Sequence, residues 1–68
     1  MNEDALNMSL RKFLKKVGVT SQREIENAIT EALSDGRLAN KNAIAATMTL
    51  SIPELGLVHE IKDTINLD

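Results

Sequence analysis

Histidine is the side chain best suited to acid–base work near neutral pH, and this chain has one, His59. Glu60 follows it. On an extended strand adjacent side chains face opposite ways, so the two do not form a dyad. His59 shares its parity with Leu57 and Ile61, which makes it a core-edge histidine bonded to backbone or water rather than a catalyst. As a metal ligand it stands alone, short of what a zinc site needs. Ser9, Ser21, Ser34 and Ser51 have no histidine–acid pair in a triad-like arrangement. The paired acids Glu3–Asp4 and Glu24–Glu26 fall where helix first turns are expected, and dipole and capping account for them. Gly18, Gly36 and Gly56 are isolated, so there is no phosphate-cradling loop. Met1, Met8 and Met48 show no haem or copper pattern. With no cysteine, thiolate metal sites, thiol nucleophiles and disulfide staples are excluded. The polar groups do not converge, and the chain is too short to enclose a site. A non-enzymatic protein without catalytic, cofactor-binding or metal-binding residues is expected.

The remaining chemistry is electrostatic. Positive charge collects in Arg11, Lys12, Lys15 and Lys16, with Arg23 further along. A solvated helix face with its cations near the negative end of the helix dipole is the plain explanation. The sharper one is an interaction surface made of these five residues. A protein partner fits better than nucleic acid. No tyrosine or tryptophan is present to stack on bases, and the overall charge is -2, from 8 basic and 10 acidic residues. Weak nucleic-acid binding through the basic face is the alternative.

These residues must be positioned by a small scaffold. Sixty-eight residues make at most one domain, and a chain this short buries too little surface for a wide margin of stability. No apolar run approaches the roughly 18 residues of a membrane helix. The N-terminus lacks the basic region of a signal peptide, so a cytoplasmic address is expected.

Asn2 can cap a helix whose first turn holds Glu3 and Asp4. Leu6, Leu10, Phe13, Leu14 and Val17 recur at three- and four-residue spacing, which predicts an amphipathic helix over about 3–17. Gly18 is expected to close it at C′, with Val19 and Leu14 as the touching pair of a Schellman cap. Ser21 and Glu24 have capping-box spacing, so a second helix is expected over about 22–35. Its stripe is Ile25, Ala28, Ile29, Ala32 and Leu33, its outer face is acidic, and Gly36 is its stop. Attraction between basic and acidic faces would help the two helices pair.

From Ile44 the period changes to 2. Ile44, Ala46, Met48, Leu50 and Ile52 share one parity, which predicts a half-buried strand over about 44–52. Pro53 to Gly56 reads as a turn, and a second strand is expected over about 57–65. If Ile52 faces Leu57, then Leu50 faces His59 and Met48 faces Ile61. The expected fold is therefore α+β, an N-terminal two-helix hairpin followed by a C-terminal antiparallel β-hairpin (ααββ). A lone hairpin leaves both edges open, and pairing one edge with its copy would give a homodimer.

The segments MNEDALNMSLRKFLKKVGVTSQREIENAI, at residues 1–29, and MTLSIPELGLVHEI, at residues 48–61, resemble a family of small proteobacterial proteins grouped as a domain of unknown function. The resemblance implies a free-standing bacterial domain. It implies no activity, substrate or cofactor.

Overall fold

The computed structural model describes residues 1–68. One helix and one hairpin make up the fold, in the order α1 (Glu3–Ser34), β1 (Ala43–Ile52), a single 3₁₀ turn (Pro53–Leu55) and β2 (Leu57–Asn66). The expected two-helix hairpin is overturned. The segments 3–17 and 22–35 are parts of one 32-residue helix, and the architecture is αββ.

The physical reason lies around Gly18. Glycine inside a helix costs only about 1 kcal/mol relative to alanine. Ending one helix there and starting another would orphan up to four C=O groups before the break and four N–H groups after it. The two apolar stripes are also in phase. Val17, Ser21, Ile25 and Ile29 follow at four-residue spacing, and all four are half-buried on the side facing the hairpin. Gly18 accordingly keeps a negative φ, whereas Gly36 and Gly56 do not. Ser21 is no cap, and its supposed capping box with Glu24 lies mid-helix.

The true ends follow the sequence signals. The Asn2 side chain accepts from the Ala5 amide at 3.1 Å, and Glu3 and Asp4 occupy the first turn. At the other end Gly36 takes φ 85°, and the Arg37 amide donates to the Ala32 carbonyl at 3.0 Å, the long bond of a Schellman cap. Asp35 steadies the exit by accepting from the Arg37 amide at 3.1 Å and from its Nε at 2.8 Å. The chain then turns through Leu38, which is half-buried, and through Asn40 at φ 66°. It enters β1 antiparallel to the helix.

β1 and β2 pair antiparallel with Ile52 opposite Leu57, Leu50 opposite His59, Met48 opposite Ile61 and Ile44 opposite Ile65. This is the register the parity implied. Gly56, at φ 61°, closes the connection by donating to the Pro53 carbonyl at 3.0 Å.

The interior is minimal. Ala32 alone is buried, at 8 % exposure. Around it Ile25, Ile29, Leu38, Ile44, Ala46 and Ile65 are half-buried. Much of the expected apolar stripe is open instead: Leu33 is 63 % exposed, Ala28 is exposed, and so is every residue from Met1 to Lys16, including Leu6, Leu10, Phe13 and Leu14. In β1, Ile44, Ala46, Leu50 and Ile52 are half-buried, whereas in β2 only Ile65 is. The helix thus covers β1 and leaves much of the apolar face of β2 open. A helix of 32 residues is about 48 Å long, and the molecule measures 51 × 21 × 18 Å.

Candidate functional site

The interaction residues expected from the sequence lie on one helix, not on two facing ones. Arg11, Lys12, Lys15 and Lys16 sit mid-helix, far from the C-terminal end of the dipole. That removes the dipole part of the plain explanation, while the solvated face remains, since all four are exposed. Arg11–Lys15 and Lys12–Lys16 are like-charge pairs at i,i+4, a spacing that disfavours the helix. None of these four pairs with an acid in the chain, whose ion pairs are Arg37–Asp35 at 2.8 Å and Lys62–Glu60 at 3.7 Å. Arg23 lies two to three turns further on and stands next to Glu24. All five side chains are exposed.

Beyond Arg23 the helix turns acidic, with Glu24, Glu26, Glu31 and Asp35. Glu31 and Asp35 are another like-charge i,i+4 pair, and the last turn contains no base. The attraction expected between two helices therefore has no geometry within one chain. The basic and acidic stretches are successive lengths of one rod.

Apolar grooves run between this rod and the hairpin. One, of about 590 Å³, is floored by Ile25, Met48, Ile61 and Ile65, with Glu24 and Asp63 among its polar lining. No lysine or arginine lines it. Asp63 stands opposite Ala46 on the helix-facing side of the hairpin, and its carboxylate accepts from the Thr64 amide at 2.7 Å. Parity alone marked Asp63 as sharing a face with Ile61 and Ile65, a signal the sequence reading passed over. A second groove, of about 340 Å³, lies toward the hairpin turn between Phe13, Leu14 and Val17 on the helix and Met48, Leu50 and Ile61 on the strands. Phe13 is 51 % exposed, Leu14 60 % and Ile61 54 %. These apolar side chains are left open together along one trough rather than scattered singly over the surface.

His59 stands across from Leu50 and is exposed, not a core-edge residue. No cluster of three or more histidine, cysteine or acidic side chains is arranged to hold a metal ion. No helix is long and apolar enough to cross a membrane.

A family model described as Family of unknown function (DUF6494) matches residues 1–68, and the chain belongs to that family. The match agrees with the resemblance to a domain of unknown function and brings no activity, substrate or partner with it. No curated protein and no solved structure matches the chain.

Proposed function

We propose that this member of a family without an assigned role is a non-enzymatic protein-interaction domain that docks a protein along the open side of its helix–hairpin groove. The supporting observation is the exposure of Phe13, Leu14, Met48 and Ile61 in one continuous trough. Burying such side chains contributes about 1.5–3 kcal/mol each, and the single chain forgoes much of that. Lys16 lies beside Phe13 and Val17 in an adjoining groove, and with Arg11, Lys12 and Lys15 on the same stretch of helix it would steer an acidic surface toward the trough. The hairpin offers a second route, because both strands are edge strands and either can accept a further strand. The cytoplasmic address expected from the sequence belongs to this reading.

A photo-crosslinking side chain placed at Phe13 or at Ile61, in cells that natively carry the gene, tests it. Protein adducts from both positions, and none from the exposed Asn27, are expected. No adduct from either trough position would overturn the reading. Adducts to nucleic acid from the Arg11–Lys16 stretch would instead favour the alternative.

A further inference from the structure

We infer that the protein docked on this face is a second copy of the chain, its helix antiparallel to the first, so that Arg11–Lys16 of each copy lies beside Glu24–Asp35 of the other. The inference rests on the docking reading above and names the partner.

Area comes first. A compact monomer of 7.5 kDa exposes about 4,200 Å², and this chain exposes 6201 Å². Its radius of gyration is 16.0 Å, where a compact chain of this length has about 11 Å. The excess is about 2,000 Å² per chain. Two chains that bury it in each other form an interface of about 4,000 Å², the size of obligate homodimers.

Charge identifies the occupant. Each half of the helix repels itself, through Arg11–Lys15 and Lys12–Lys16 in one half and Glu31–Asp35 in the other. The larger groove has Glu24 and Asp63 in its lining and no base of its own. A nucleic acid would satisfy the bases and clash with the acids. An antiparallel copy supplies both signs at the spacing required. Two-fold symmetry makes the contact self-complementary, and matching the centres of the two charged stretches places the axis near Ser21. Lys16 of one copy then falls close to Glu24 and Glu26 of the other.

The chain has no cysteine, so single labels can be placed uniquely. Ser9→Cys and Ser34→Cys chains are labelled separately, mixed and measured by pulsed spin-label distances. The arrangement gives a short 9-to-34 distance between copies, about 15 Å. The 9-to-9 distance is about 35 Å, from a rise of 1.5 Å per residue. Sedimentation should show a dimer whose dissociation constant rises several-fold between roughly 50 and 500 mM salt. Lys16→Glu chains should dissociate alone and pair with Glu24→Lys/Glu26→Lys chains. If a charge variant loses its helix signal, the label distances decide. A short 9-to-9 distance, or a dimer strengthened by salt, would overturn the arrangement. A monomer at hundreds of micromolar would overturn the second copy. The docking reading would then stand or fall on whether Phe13 and Ile61 still cross-link to another protein.

Discussion

The amide of Arg37 donates to the carbonyl of Ala32 across 3.0 Å, and this bond reverses the chain where the helix ends. It spans Gly36, whose φ of 85° is open to glycine without strain. Replacing Gly36 by alanine should destabilise the fold by about 1 kcal/mol, because alanine in the left-handed region meets its own carbonyl. Urea unfolding at fixed protein concentration measures it. An unchanged midpoint would contradict the cap.

Gly18 should respond with the opposite sign. It is helical, and a Cβ built there meets nothing within 4 Å. Gly18→Ala should therefore stabilise the chain by about 0.5–1 kcal/mol and deepen the helical signal at 222 nm. A loss of stability would restore a helix end at Gly18.

Ala32 and Leu33 are neighbours with opposite roles. Ala32→Leu forces three extra carbons into the one buried position and should cost about 1–3 kcal/mol. Leu33→Ala removes a side chain that points into solvent and should change stability by less than about 0.5 kcal/mol. Thermal melts of the two variants separate these roles, and equal effects would mean that the helix is rotated about its axis.

His59 makes its own test. It is exposed opposite Leu50, so His59→Ala should shift the unfolding midpoint by no more than about 0.5 kcal/mol. A larger loss would show that the ring is covered.

Hydrogen exchange should divide the helix along its length. In samples dilute enough to be monomeric, amides up to Lys16 should exchange faster than those from Ser21 to Leu33, because only the latter half rests on the hairpin. Uniform protection would show that the first half is held by contacts within the chain.

Much of this architecture is legible in the sequence, and the misreading has a definite cause. The hairpin follows from parity alone. Once Ile44 through Ile52 alternate and Pro53–Gly56 turns, Leu57 has one partner. Asn2 and Gly36 carry unambiguous end signals. Gly18 and the Ser21–Glu24 spacing carry local signals of about 1 kcal/mol each, too weak to break a helix whose apolar positions stay in phase. The four-residue steps from Val17 to Ser21 to Ile25 carry that phase, across a serine that does not look apolar. The proposed docking surface is half legible, since its basic residues stand out by type. The grooves beside them depend on how far a hairpin reaches along a rod, which no local pattern encodes.

One buried residue in 68 has a consequence for how this protein comes apart. With so little inside, a second copy seated on the open face, as inferred above, would make the folded population depend on protein concentration. Dilution would then act alongside heat and urea as a denaturant. The amount of protein made in the cell would set the fraction that persists, so chains in short supply would be the ones exposed to proteases.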